Sequence, residues 1–197
     1  MENQILVPLD NTEIREDIIK LADVYGHDIQ AKIFFLLVIN PEYTWSEEKV
    51  PLFEDRFEKV ISRFDIKCDY EVMLHVGKPY DKIIEVENTL HPQMILMAVH
   101  SHTVLHRLFL GSNTDHVLHK TPIPLYVYKK TDTDLENIFL VPLDYTDVNR
   151  ELIQEADKWA YREGAELVFL HVYELPEYSG NSYMMESGFL INRMKIW

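Results

Sequence analysis

Apolar positions along this chain recur in two alternating periods, and the alternation predicts the fold class. Residues 4–9 form a short run rich in Leu and β-branched side chains, too continuous for a strand with one wet face. A turn with helix-capping residues, Pro8-Leu9-Asp10-Asn11-Thr12, closes it. Ile14, Ile18, Leu21, Ala22 and Tyr25 then follow at spacings of three and four, which predicts a helix over 13–25 with Gly26 as its stop. Residues 33–39 read as a second buried strand, and Leu52, Phe53, Phe57, Val60, Ile61 and Phe64 as a second helical stripe. Tyr70, Val72, Leu74 and Val76 alternate as a third strand. Gly77-Lys78-Pro79 leads into a helix carrying Ile83, Ile84 and Val86, and residues 94–99 are a fourth buried run. A polar loop, a short helix over 112–119 and a strand over 125–128 complete the series. Strict β-α alternation demands right-handed crossovers and helices on both faces of one sheet. The expected architecture is α/β: a doubly wound five-stranded parallel sheet in the order 3-2-1-4-5.

The pattern then restarts. Leu6-Val7-Pro8-Leu9-Asp10 recurs as Leu140-Val141-Pro142-Leu143-Asp144, at an offset of 134 residues. The match runs without a gap from Ile5 to Asn40, pairing Ala22 with Ala156, Asp23 with Asp157, Ala31 with Ala165 and Phe35 with Phe169. A period this long is a duplicated domain rather than a solenoid unit. The expected organisation is a first domain over 1–130, a charged and Thr/Asp-rich linker over 131–136, and an incomplete second copy over 137–197. That copy offers a strand over 138–143, a helix with Leu152, Ile153, Ala156 and Trp159 on one face, and a strand over 167–173. A final helix is expected over 189–197. Half of a doubly wound domain cannot cover both faces of its sheet, so either the chain is part of a longer tandem protein or the half-domain docks on copy one or on another chain.

Charge and cysteine content narrow the partners. With 33 acidic against 19 basic residues, the formal net charge is -14, a field that repels polyanions, so nucleic acid is not an expected partner. The 47% hydrophobic content suffices for a real core. No apolar stretch approaches the roughly 20 residues of a membrane helix, so no membrane partner is expected. The single Cys68 and a start without signal-peptide character suggest a reducing, cytoplasmic setting.

Candidate chemistry centres on the segment from Met94 to Ser101, followed by Gly111-Ser112-Asn113. Strand, loop, then a glycine opening a helix is a layout that receives phosphate on backbone N–H groups. Asp10, at the end of the first strand, joins it if the first and fourth strands are neighbours, where doubly wound sheets place their ligand crevice. The aromatics Phe34, Phe35, Phe57, Phe64 and Trp159 sit on apolar stripes and are expected in the core. His100, His102 and His106 invite a zinc reading, but their spacing and the lack of a nearby Cys favour solvated loop histidines, and no metal site is expected.

These residues resemble the universal stress protein family. The likeness rests on the strands ending Val-Pro-Leu-Asp, the Leu37-Val38-Ile39 strand end, Gly77-Lys78-Pro79, and the run from Met97 through Gly111-Ser112 to residues 122–127. The ATP-binding branch carries G-x-x-G, nine residues, then G-S/T; here those positions are Ala98, Ser101, Gly111 and Ser112, so two of three glycines are replaced. The resemblance implies an ATP or AMP site built from Pro8, Asp10, Val38, Met97, Ala98, Ser101, Gly111, Ser112 and Asn113. Asp10 and Val38 would hold the adenine and ribose end, and the main chain of Gly111, Ser112 and Asn113 the phosphates. It also implies a homodimer through the edge strand 125–128. The function expected is a cytoplasmic stress-response protein that binds an adenine nucleotide. The alternative is a nucleotide-free dimeric scaffold whose motif has degenerated. Asp10 and Ser112 also have plain readings, as a helix cap and as a helix start. No P-loop, dinucleotide, nucleophile-elbow or zincin motif is present, so no enzyme is expected.

Overall fold

The computed structural model describes residues 3–9, 16–41, 50–99, 112–128, 137–143, 149–173 and 188–194. The chain divides into two compact units, Met1–Lys130 and Thr131–Trp197.

In the first unit the elements are β1 (Asn3–Leu9), α1 (Glu16–Ile29), β2 (Ala31–Ile39), α2 (Val50–Ile61), β3 (Tyr70–Val76), α3 (Pro79–Leu90), β4 (Met94–Ala98), α4 (Ser112–Lys120) and β5 (Leu125–Tyr128). The five strands form one sheet in the order β3-β2-β1-β4-β5, every pairing parallel. This is the order expected from the alternation. Strand side chains divide by parity: Leu6, Phe34, Leu36, Ile95 and Met97 pack with Ile83 and Val86 of α3 and Val117 of α4. Ile5, Val7, Ile33 and Phe35 lie on the opposite face, where α1 supplies the buried Ile18, Ile19, Ala22 and Tyr25. Each fully buried Leu, Ile or Phe contributes about 1.5–3 kcal/mol of transfer free energy, so the central strands β1, β2 and β4 hold the unit together.

The second unit contains β6 (Ile138–Pro142), α5 (Asn149–Glu163), β7 (Glu166–Tyr173) and β8 (Gly188–Met194), with sheet order β6-β7-β8. Its β-α-β portion repeats that of the first unit residue for residue. Leu6 faces Phe34 across the β1–β2 ladder, and Leu140 faces Val168 across β6–β7. The corner recurs as well: the Asn3 side-chain amide donates to the Ile29 carbonyl at 2.5 Å, and that of Asn137 to the Glu163 carbonyl at 2.6 Å. Both helices end on a left-handed residue at the same repeat position, Gln30 with φ 52° and Gly164 with φ 59°.

Four expectations are corrected. Gly26 does not stop α1, which runs on to Ile29. It is buried because the helix passes close to the chain ahead of β3; an added Cβ would lie 3.0 Å from Cys68 Sγ and 3.2 Å from the Ile33 side chain. In the second stripe only Phe57 and Ile61 are buried; Leu52 is 67% exposed and Phe64 follows the helix, because α2 packs chiefly on the edge strand β3. Trp159 is half-exposed: its indole donates to Glu155 Oε1 at 3.1 Å and Arg162 lies over its ring, while the inward positions of α5 are the small Ala156 and Ala160. Finally, residues 188–194 form a strand antiparallel to β7 rather than a helix. The outer backbone of β7 requires hydrogen-bond partners, and pairing satisfies it where a helix could not.

Candidate functional site

The strand order reverses between β1 and β4, and there the registered pairing is short. The Gln4 carbonyl accepts from the Gln93 amide at 2.9 Å, and the Gln4 amide donates to the Gln93 side chain. Backbone groups alternate in direction along a strand, so Leu6 and Pro8 also turn theirs towards β4. From the other side, the amides of Ile95 and Val99 donate to the carbonyls of Pro124 and Tyr128, at 3.0 and 2.9 Å. Leu96 and Ala98 therefore turn theirs towards β1. The registered β1–β4 pairs are Ile5 with Met94 and Leu6 with Ile95. The next bond in a parallel ladder would run from the amide of residue 8 to the Leu96 carbonyl, and proline has no amide hydrogen. The pairing ends there, whereas β1–β2 continues to Leu9 with Leu37. Beyond it, the Pro8 carbonyl and the Ala98 amide turn towards one another at the strand ends.

Around these strand ends the expected site residues separate by what their side chains do. Met97 is 5% exposed and packs in the α3–α4 core, so only its main chain can meet a ligand. Val38 is half-buried against the same cluster at the end of β2. Ala98, half-buried at the end of β4, keeps its side chain to a single methyl. Helix α4 docks through Thr114 and Val117 and leaves Ser112 and Asn113 exposed at its N-terminus. Backbone N–H groups and the dipole there favour an anion. Pro8, Val38, Met97, Ala98, Ser112 and Asn113 thus sit at the carboxyl ends of β1, β2 and β4 or at the start of α4. Asp10, Ser101 and Gly111 lie outside the described residues, as do His100, His102 and His106. Among the described residues no three His, Cys, Asp or Glu side chains cluster as a metal site, and no helix is long and apolar enough to cross a membrane.

One neighbour, His75, was not singled out in the sequence, whereas Gly77 was named there with Lys78 and Pro79 as the turn into the third helix. His75 faces Val38 across the β2–β3 ladder, and its signal was its place near the end of the alternating third strand. Gly77 follows, with φ 149°; its amide donates to the Ile39 carbonyl at 2.9 Å and holds the β3–α3 turn against the end of β2. Cys68 is remote from this end. Burial, and then its hydrogen bond to Asp23, push its thiol up to about 11, so it is a poor nucleophile at neutral pH.

The sequence model of the universal stress protein family matches residues 1–129. A universal stress protein of Synechocystis sp., Slr1230, is 31% identical over 72 residues, which are 36% of this chain and 24% of that protein. The match thus spans about a quarter of that curated relative. Among solved structures, a universal stress protein in complex with cAMP matches with a TM-score of 0.50 at 17% identity, over 65% of this chain and 97% of that one. The universal stress protein of Archaeoglobus fulgidus matches with a TM-score of 0.51 at 16% identity, over 64% and 93%. These two likenesses are of fold.

Proposed function

The chain belongs to the universal stress protein family, and from that premise we propose that its first unit binds an adenine nucleotide between the ends of β1 and β4. The observation that carries the reading is that the registered β1–β4 pairing ends before Pro8 where the strand order reverses, with the small Ala98 at the end of β4 and the exposed start of α4 following that strand. That the related fold holds cAMP in one family structure supports the ligand class. The main chain of Ser112 and Asn113 would receive phosphate. Pro8, Val38 and Ala98 would bound the base and ribose, with Asp10, Ser101 and Gly111 completing the set by resemblance. We read the unit as a binding module of a tandem stress-response protein in a reducing cytoplasm, not as a catalyst. ATP incubated with it should stay intact.

Isothermal calorimetry with ATP, AMP and cAMP tests the reading. Binding should be weak to moderate, because Ala98 and Ser101 stand where glycine would let a ligand approach the backbone. Ala98→Gly should tighten it. Pro8→Ala restores the missing donor, lets the β1–β4 ladder close one step further, and should weaken it about tenfold, or ~1.4 kcal/mol. No heat with any of the three at millimolar concentration would sink the proposal. The outer edge of β5 is the proposed contact with a second copy. Light scattering on Val127→Lys should show the loss of a dimer present in the parent chain.

A further inference from the structure

Helix α4 is nine residues long and sends only Thr114 and Val117 into the core. It packs chiefly on α3, where Val117 joins Ile83 and Val86. Two anchors one turn apart lie along one line of a helix, and a helix can roll about such a line. Beside that line stands Tyr80. Its ring lies 4.8 Å from the His116 ring, centroid to centroid, at an interplanar angle of 32°, and Lys120 Nζ sits 5.3 Å from the Tyr80 centroid. At roughly 100° per residue, His116 and Lys120 fall to one side of the Thr114–Val117 line, and Leu118, 45% exposed, falls to the other. Ser112, one turn before His116, is on the Tyr80 side too. Tyr80 is itself well placed. It follows Pro79 in the first turn of α3 and packs, half-buried, against the cluster that contains Leu6 and Phe34. The turn ahead of it is tied down by the Gly77 amide, which donates to the Ile39 carbonyl at 2.9 Å.

We propose that Tyr80 is a positioning residue for the phosphate end of the adenine-nucleotide site: its ring, set against His116 and Lys120, fixes the roll of α4 and so the aim of the Ser112 and Asn113 amides. The inference rests on the nucleotide reading above. Hydrogen bonds weaken steeply once they leave a short, straight geometry, so a small roll of α4 removes phosphate affinity although Tyr80 touches no phosphate. The ring suits the task. Its negative face attracts the Lys120 ammonium, and the imidazole of His116 packs tilted against it. Both contacts are made by the ring, and neither involves the hydroxyl. The arrangement also joins the two ends of the ligand. The β3–α3 turn is held to β2 next to Val38, at the base end, and Tyr80 carries that hold across to α4, at the phosphate end. Removing the ring should release the phosphate end and leave the base end as it was.

The test compares ATP with adenosine, which lacks the phosphates, on the full chain and its variants. Tyr80→Ala should weaken ATP about tenfold, the worth of one well-aimed hydrogen bond to a charged group, and leave adenosine within about twofold. Tyr80→Phe keeps the ring and should bind both ligands as the parent chain does. Tyr80→Leu, which fills the core side without an aromatic face, should behave as Tyr80→Ala and stands in for it if that variant unfolds. Where adenosine binds too weakly to fit, ATP-induced amide shifts make the same comparison: in Tyr80→Ala those of Ser112 and Asn113 should shrink and that of Val38 should persist. Three results overturn the proposal: ATP affinity unchanged in Tyr80→Ala, equal losses for ATP and adenosine, or a Tyr80→Phe variant as weak as Tyr80→Ala. A parent chain that binds neither ligand refutes the nucleotide reading itself, and this inference falls with it.

Discussion

Replacing Asp23 with alanine should cost the first unit about 2 kcal/mol, while the same change at its repeat twin Asp157 should cost almost nothing. Asp23, half-buried on α1, accepts the amides of both Lys67 and Cys68 through Oδ1, each at 2.9 Å, and its own carbonyl accepts the Cys68 thiol at 3.3 Å. One carboxylate oxygen thereby ties the segment ahead of β3 to the helix 44 and 45 residues earlier. A hydrogen bond to a charged group contributes about 1.5–3 kcal/mol when well shielded. Lys67 is exposed and Cys68 half-buried, so water can partly replace the acceptor, and about 1 kcal/mol for each bond is the better figure. For a unit of this size, 2 kcal/mol corresponds to a fall in Tm of roughly 6–10 °C. Asp157 occupies the same position on α5 but is exposed, and exposed surface changes stay within about 0.5 kcal/mol. Asp23→Asn, which keeps an uncharged acceptor, should lose about half. Urea and thermal unfolding by circular dichroism measure the loss, and amide exchange at Lys67 and Cys68 locates it. Equal effects of Asp23→Ala and Asp157→Ala would refute the reasoning.

A second identical pair, Leu6 and Leu140, extends the comparison: Leu6→Ala should cost about 3–5 kcal/mol and Leu140→Ala less than about 0.5, read by urea unfolding of each variant. Gly26→Ala should destabilise despite alanine's better helix propensity, because its Cβ meets Cys68 Sγ at 3.0 Å, and the loss should shrink in a Cys68→Ala background; additive losses would deny the contact. The Cys68 thiol, held up to about 11 against 9.0 unperturbed, should react far more slowly with a disulfide reagent at pH 8 than in urea-unfolded chain. Because the folded value is the raised one, its contribution is fully present below pH 9 and is lost between pH 9 and about 11, so unfolding midpoints should fall across that interval.

Much of the sheet was legible because parallel strands buried on both faces leave unbroken apolar runs, and β-α alternation then leaves few topologies. The failures have physical causes. Gly26 reads as a stop because glycine usually ends helices, and only the tertiary approach of Cys68 explains why a residue without a side chain sits inside one. Leu52 and Trp159 fall on apolar stripes, but a stripe does not reveal how wide a sheet lies beneath it. Residues 188–194 became a strand through the unpaired edge of β7, a demand that no local propensity records. At the site, Pro8 and Ala98 could be named from the motif. The reason that Pro8 matters, a donor missing from the one ladder where the sheet reverses, required the register.

The corner made by Asn3, Ile29 and Gln30, and made again by Asn137, Glu163 and Gly164, has a kinetic consequence. One copy of this β-α-β turn has β3 and β4 beside it; the other has β8 on one side and, among the described residues, no strand on the other. Both close with the same ladder and the same side-chain bond. A structure indifferent to its neighbours draws its contacts from within one short stretch of chain, and such contacts close fastest. The β-α-β turn is therefore the expected folding nucleus of each unit, with the later strands of the first adding to an edge already in place.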